Sequence, residues 1–234
     1  MADTAALPRL SVVIPVLGDT PALGRLLIQL HAQRPAPAEV LVVDGGADAQ
    51  CRTLCERAAA GYAATRPGRG HQLHHGAAHT SGDVLWFLHA DAVIPPDATT
   101  AILDALRDHA VGGYFRFRFG GSPAWHKTVL AALINLRTRV GVPYGDQGLF
   151  ATRRAYDAAG GFPDLPLFEE VALIKRLRRA GRFVRLAPAI TVCPRRWERD
   201  GWLHRTLENR ALALAYMAGT SPSRLARRYR EQRR

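Results

Sequence analysis

The apolar run Trp86-Phe87-Leu88 ends in His89-Ala90-Asp91, so a carboxylate arrives at the C-terminal end of what reads as a buried strand. A carboxylate there can hold a hard divalent cation, and the cation can neutralise the two phosphates of a nucleoside diphosphate. Asp44 closes a second apolar run, from Glu39 to Val43, in the same way. Gly45 and Gly46 follow it, where backbone without side chains can approach a ligand closely. Plainer readings stand beside these. Aspartate is a common turn residue, so Asp91 could simply cap the turn before Pro95, and Asp48 could complement a helix N-terminus. His71, His74, His75 and His79 share helical spacing but have no acidic set beside them, and read as a solvated face rather than a metal site.

These residues need elements to hold them. Leu10 to Val16, Glu39 to Val43, Tyr62 to Thr65 and Val84 to Leu88 read as strands. Helical segments separate them, at Thr20 onward with Pro21 at the first helical position, at Ala47 to Ala59 and at Gly70 to Thr80. Alternation of this kind predicts an α/β fold, a three-layer sandwich around a mostly parallel sheet with right-handed crossovers. Ligands bind beyond the C-terminal ends of such strands, which places the segments after Val16, Val43 and Leu88 on one rim. Beyond Asp91 the spacing predicts helices over Pro96 to His109, Trp125 to Leu136, Phe168 to Ala180 and Asp200 to Ala218. Strands are expected over Gly113 to Phe119 and Phe183 to Leu186, with a turn-rich loop at Gly141 to Gly148.

The chain of 234 residues has an ordinary apolar share of 47%, enough for a full core. No run approaches the roughly 20 apolar residues that span a bilayer. The start, MADTAALPRL, carries acid where a signal peptide carries base, so a cytoplasmic location is expected. Cys51, Cys55 and Cys193 are odd in number and lack C-x-x-C spacing, which argues against a disulfide framework and for bystander thiols. The net charge of +12 is carried mainly by arginine, notably at Arg176, Arg178, Arg179, Arg182 and the tail from Arg224 to Arg234. It favours anionic partners without choosing among nucleic acid, lipid head groups and phosphorylated substrates.

Seven segments in order, SVVIPVLGD, VVDGGAD, GRGHQLHHGA, GDVLWFLHADAVIPP, GDQGLFATR, FEEVALIKRLRRAGR and RRWERDG, resemble the family-two glycosyltransferases of GT-A fold. More narrowly they are similar to a small bacterial branch found beside radical-SAM or selenium-linked genes. The resemblance runs from about Leu10 to Tyr229. It implies an inverting transfer of a sugar from a nucleotide-diphosphate sugar, UDP-sugar favoured, to an acceptor hydroxyl, with Mn2+ or Mg2+. Asp44 would contact the base or ribose, Pro15 and Val16 would line the same pocket, and Arg69 and Gln72 would face the nucleotide. Asp91, with Ala90 beside it, would be the metal-binding member of the family's Asp-x-Asp motif. His89 stands where the first Asp is usual, and could ligate manganese or hydrogen-bond a phosphate or the sugar. Gly18-Asp19 stands where Asn-Glu is common.

The family's catalytic base sits at the start of a late helix, where this chain has Glu169 and Glu170, and Glu170 occupies the place of the base. Acids there and Lys175, Arg176, Arg178 and Arg179 at the far end also suit the dipole of any soluble helix. Asp146 and Gln147 would lie on the acceptor side of the cleft. Arg196 would help clamp the diphosphate, and Trp197 would stack on the acceptor or close the site. The implied organisation is a glycosyltransferase domain over 1–193, with a nucleotide-sugar half near 10–92 and an acceptor half near 93–193. A basic helical extension over 194–234 follows.

Rival classes fit less well. A nicotinamide-dependent fold needs G-x-G-x-x-G after the first strand, and Pro15 to Thr20 holds one glycine. A nucleotidyltransferase would share sheet, donor and metal, but its glycine-rich phosphate loop is missing from VLGDTPALGR. A basic nucleic-acid- or anion-binding protein is compatible with the charge, yet no nucleic-acid recognition motif appears, and no specific nucleic acid is expected. Val129 to Leu136 and Leu207 to Met217 are amphipathic, so peripheral contact with an anionic inner membrane face is a further expectation.

Overall fold

The computed structural model describes residues 7–231; Met1 to Ala6, which carry the N-terminal acid, and the last three residues of the arginine tail lie outside the described residues. The first half alternates as expected: β1 (Leu10–Val16), α1 (Thr20–His31), β2 (Glu39–Asp44), α2 (Ala49–Arg57), β3 (Gly61–Ala64), α3 (Arg69–Ala78) and β4 (Val84–Phe87). Asp19, rather than Thr20, is the N-cap residue of α1. The second half contains α4 (Ala98–Arg107), β5 (Gly112–Phe119), α5 (Trp125–Val140), a 3-10 turn (Gly145–Gln147), β6 (Phe150–Thr152) and α6 (Arg153–Ala158). It ends with α7 (Glu169–Ala180), β7 (Phe183–Val192), α8 (Arg195–Asp200), α9 (Trp202–Met217) and α10 (Pro222–Glu231).

The seven strands form one sheet in the order β3-β2-β1-β4-β6-β5-β7. β1 pairs in parallel with both β2 and β4, and β6 alone runs against its neighbours. Side chains alternate between the faces along each strand. Val12, Ile14, Trp86 and Leu88 therefore pack with α1 and α4, while Val13, Val43, Leu85 and Phe87 pack with α3, α6 and α7. Both faces are covered, which is why these strands read as unbroken apolar runs. Cys51 and Cys55 lie in the first of these cores, and burial pushes the Cys51 thiol up to about 12.

Three features depart from the sequence reading. β6 and α6 were not read at all, because a three-residue strand is too short to show a period. β7 continues past Leu186 to Val192: the register shifts between Tyr114 and Arg116, so the extra β7 residues around Pro188, which has no N–H to pair, sit in a bulge. The last expected helix starts at Trp202 instead of Asp200, because Gly201 (φ 86°) separates α9 from α8. Phe168, Val171, Leu212 and Leu225 form a small core that ties α9 and α10 to the start of α7. No helix among the described residues is long and apolar enough to cross a membrane.

Candidate active site

β1 has β2 on one side and β4 on the other, so the chain changes direction across the sheet at β1, and a crevice opens at the strand ends there. Val16, half-buried Pro15, Asp44 and the His89-Ala90-Asp91 segment meet on this rim. The side chain that fixes it is Gln72, which is buried on α3. Its amide donates to the carbonyls of Val16 (2.9 Å) and Val43 (2.8 Å), and its oxygen accepts from the Gly68 N–H (3.3 Å). Gln72 was expected to face the nucleotide; both ends of its amide are instead spent on backbone, so it positions the rim. Asp44 is fully buried and similarly engaged. It accepts from the N–H groups of Gly46 (2.8 Å) and Asp48 (2.7 Å) and from the Tyr62 hydroxyl (3.0 Å), shaping the loop after β2.

Asp91 is more open, with 36% of its side chain exposed, and its nearest ionic partner is Arg195 at 3.9 Å. The same guanidinium reaches Asp19 at 3.3 Å. Exposed pairs of this kind are worth about 0–1 kcal/mol, so Asp91 can be given up to a divalent cation at little cost. Its chemistry suits Mg2+ or Mn2+, which keep several waters and take one or two carboxylates plus substrate phosphates. No group of three or more His, Cys, Asp or Glu among the described residues forms a ready-made cage.

His89 sits differently. The Arg69 guanidinium lies 3.2 Å from its Nε2. A guanidinium only donates, so Nε2 accepts and the ring proton is on Nδ1. Burial, reinforced by Arg69 and Arg196, pushes the imidazole down to about 3, so the ring is neutral. With one nitrogen engaged by a cation and the other protonated, His89 does not present a metal ligand in this arrangement; it helps to hold Arg69.

Arg69 also pairs with Glu169 through Nε and with Glu170 at 3.5 Å. Burial opposes its charge, but the two carboxylates more than compensate and hold the guanidinium above its ordinary value. Gly70 makes this meeting of α3 with α7 feasible, since a Cβ there would lie 2.6 Å from the Pro163 carbonyl and 3.0 Å from Glu169 Cβ. Phe168 delivers the two acids. It caps α7 in the left-handed region (φ 61°) and stacks on Tyr216 of α9 at 4.6 Å. Such backbone in a residue with a side chain persists where the surrounding packing enforces it. Glu169 and Glu170 are both buried, and Glu169 Oε2 has no hydrogen-bond partner among the described residues. Burial, then the neighbouring Glu169, push Glu170 up to about 7 against the pull of Arg69.

Next to Glu170 lies a half-open cavity of about 180 Å³, lined from α5, α8, α9 and α10. Asp146 lines it, and burial raises its carboxyl above the usual range. Gln147 does not line it. It is buried, its amide donates to the Phe115 carbonyl (3.1 Å), and it holds the loop onto β5 in place of the expected substrate contact. Trp197 lines the cavity and meets Phe119 edge-on at 4.9 Å. Arg196 turns into the cavity and donates to the Tyr229 hydroxyl (2.7 Å), while its neighbour Arg195 is the one that reaches Asp91. Sequence reasoning gave Arg195 no role beyond its place in RRWERDG, and it missed Arg137, Arg205 and Arg210, which line the cavity from α5 and α9. Their only signal was an excess of arginine, which does not say where the arginines converge.

Residues 11–160, from β1 to the end of α6, match the model of glycosyl transferase family 2. Over 105 residues, 42% of this chain, the sequence is 34% identical to uncharacterized glycosyltransferases of two Mycobacterium tuberculosis strains. The alignment spans 40% of those relatives' length. Among solved structures, the chain is similar to a mannosyltransferase from Pyrobaculum calidifontis in complex with GDP-Man and Mn2+. The TM-score is 0.64 at 19% identity, over 94% of this chain and 67% of that one. It is also similar to glucosyl-3-phosphoglycerate synthase from Mycobacterium tuberculosis in complex with Mn2+, UDP and glucosyl-3-phosphoglycerate, with a TM-score of 0.56 at 19% identity over 80% and 70% of the two chains. At these identities the likeness is one of fold, the GT-A arrangement of α/β layers. The family match takes in Asp44, Arg69, His89, Asp91 and Asp146, and on it the chain belongs to glycosyl transferase family 2.

Proposed function

We propose that the protein is an inverting glycosyltransferase that takes a sugar from a nucleotide-diphosphate donor, a UDP-sugar by preference. The observation that carries this reading is an open carboxylate, Asp91, at the switch point of the sheet, with a buried, proton-attracting carboxyl, Glu170, paired to Arg69, which also contacts His89 two residues before Asp91. The nucleoside would lie over Pro15, Val16 and the loop built by Asp44. Asp91 would hold a Mn2+ or Mg2+ ion, which would supply charge neutralisation for the diphosphate, and Arg195, beside Asp91 and Asp19, would share that role.

Glu170 takes the proton of the acceptor hydroxyl. The acceptor oxygen forms its bond to the anomeric carbon from the face opposite the leaving group, and the bond to the diphosphate oxygen breaks with its electron pair leaving on the nucleotide. Arg69 and the neutral His89 hold the two glutamates in place, and Asp146 and Trp197 border the acceptor. The 194–231 helices close the acceptor half, and we assign the narrower bacterial branch on the seven ordered segments alone. The exposed apolar side chains Val129, Leu133 and Leu136 on α5 and Leu203, Leu207 and Leu214 on α9 support contact with an anionic membrane surface, which a flotation assay showing no vesicle binding would exclude.

Release of nucleoside diphosphate from a panel of UDP- and GDP-sugars with Mn2+ tests the transferase reading. One donor should be consumed by wild type and spared by Asp91→Asn. Turnover that the substitution leaves intact, or no turnover or binding of any donor at millimolar concentration, would remove it.

A further inference from the structure

The cavity beside Glu170 is more cationic than a sugar hydroxyl needs. Arg137, Arg196, Arg205 and Arg210 line it, against the carboxylates of Asp146 and Glu170. Among the described residues Arg205 pairs with Asp200 and Glu208, whereas Arg137, Arg196 and Arg210 form no salt bridge. Two of these side chains also keep a buried donor idle: Arg137 Nε and Arg205 Nε have no hydrogen-bond partner among the described residues. Arg205 is 4% exposed. A buried donor left unpaired is costly, and more so when charged, so the arrangement is suited to a ligand that supplies the missing acceptors. Burial, and the like charge of Arg210, hold the Arg137 guanidinium below its ordinary value, which an anion between them would reverse.

We propose that this cavity is a subsite for a phosphomonoester, with Arg137, Arg205 and Arg210 as its donors. A phosphate brings about two negative charges and three strong acceptor oxygens, which matches planar guanidinium forks better than a carboxylate or neutral sugar would. That the subsite serves the acceptor rests on the transferase reading, since that reading places the phosphate next to the carboxyl that would deprotonate the attacked hydroxyl; the binding site itself does not.

Calorimetric titration of the full chain with inorganic phosphate, at fixed ionic strength in chloride, tests this. Saturable binding is expected, weakened about tenfold or more by Arg210→Gln and by Arg137→Gln and unchanged by Asp91→Asn. Arg137 packs over the Tyr144 ring at 4.5 Å, so if its substitution unfolds the chain, Arg210→Gln, which breaks no hydrogen bond or ion pair among the described residues, decides the matter alone. No saturable binding, or binding indifferent to Arg210, overturns the proposal. Competition then separates the sources of the group. Displacement by glycerol phosphate marks a small phosphorylated acceptor, displacement only by vesicles containing phosphatidic acid marks a lipid phosphate, and displacement by neither contradicts phosphomonoester recognition. UDP with Mn2+ is titrated in parallel. Nucleotide binding without phosphate binding removes the subsite and leaves the transferase; phosphate binding without nucleotide binding does the reverse.

Discussion

The two sides of the crevice are built on opposite principles. On the donor side, the polar groups other than Asp91 are consumed internally: Asp44 is filled by two backbone N–H groups and a tyrosine hydroxyl, and Gln72 ties the ends of β1 and β2 together. On the acceptor side they are left waiting. Of the buried polar atoms without a partner among the described residues, Arg137 Nε, Gln147 Oε1, Glu169 Oε2 and Arg205 Nε belong to the second half of the chain, and the fifth, Trp86 Nε1, belongs to a ring that packs against Phe115 of that half. The difference suggests a division of labour. A satisfied rim gives a fixed platform for a nucleotide, while unsatisfied charge is held in readiness where acceptor and chemistry meet.

The largest effect that would break this comparison is on Glu170. Glu170→Gln should lower transfer by about 10²–10⁴-fold while nucleotide affinity stays near wild type, measured by turnover and by titration. Equal loss of binding and rate would make Glu170 part of the platform. The pH dependence sharpens the same point. Glu170 must be ionised to accept a proton, so kcat/KM should fall as pH drops through about 7. The stability sign is opposite. A carboxyl held above its unfolded value keeps its proton longer in the folded state, so it costs stability as pH rises from the ordinary 4.5 toward 7, and Glu170→Gln should flatten that part of the melting-temperature profile.

On the donor side the expected effects are structural first. Gln72→Ala removes a hydrogen bond from each of the Val16 and Val43 carbonyls, the first of which keeps the Gly45 N–H (2.9 Å), and should cost about 2 kcal/mol of stability, read by denaturant unfolding, with weaker nucleotide binding following from a loosened rim. The smallest effect is Arg195→Ala: stability should move by less than about 1 kcal/mol, with a measurable loss only in nucleotide affinity at low salt.

The parallel half of the fold was legible in the sequence because its central strands, β1 and β4, are buried on both faces and each strand is followed by a turn and a helix. Asp91 could be placed on the ligand rim for the same reason. The second half was not, since β6 has three residues and β7 carries a bulge at Pro188, so neither shows a clean period. Side-chain roles were less legible than positions. Gln72, Gln147 and His89 lie where the motifs put them, but whether an amide or an imidazole faces a ligand or a carbonyl depends on neighbours far away in the chain. The arginines of α5 and α9 are about seventy residues apart in sequence and meet only because α9 packs beside the start of α7.

The central claim is that Asp91 and a divalent cation together hold a nucleoside diphosphate at the switch point. Titration of UDP and GDP into wild type and Asp91→Asn, each with and without Mn2+, tests it most directly. One nucleotide should bind wild type only with metal and fail to bind the variant in either condition. Binding that ignores both the metal and Asp91, or no binding of either nucleotide at millimolar concentration, would contradict the account.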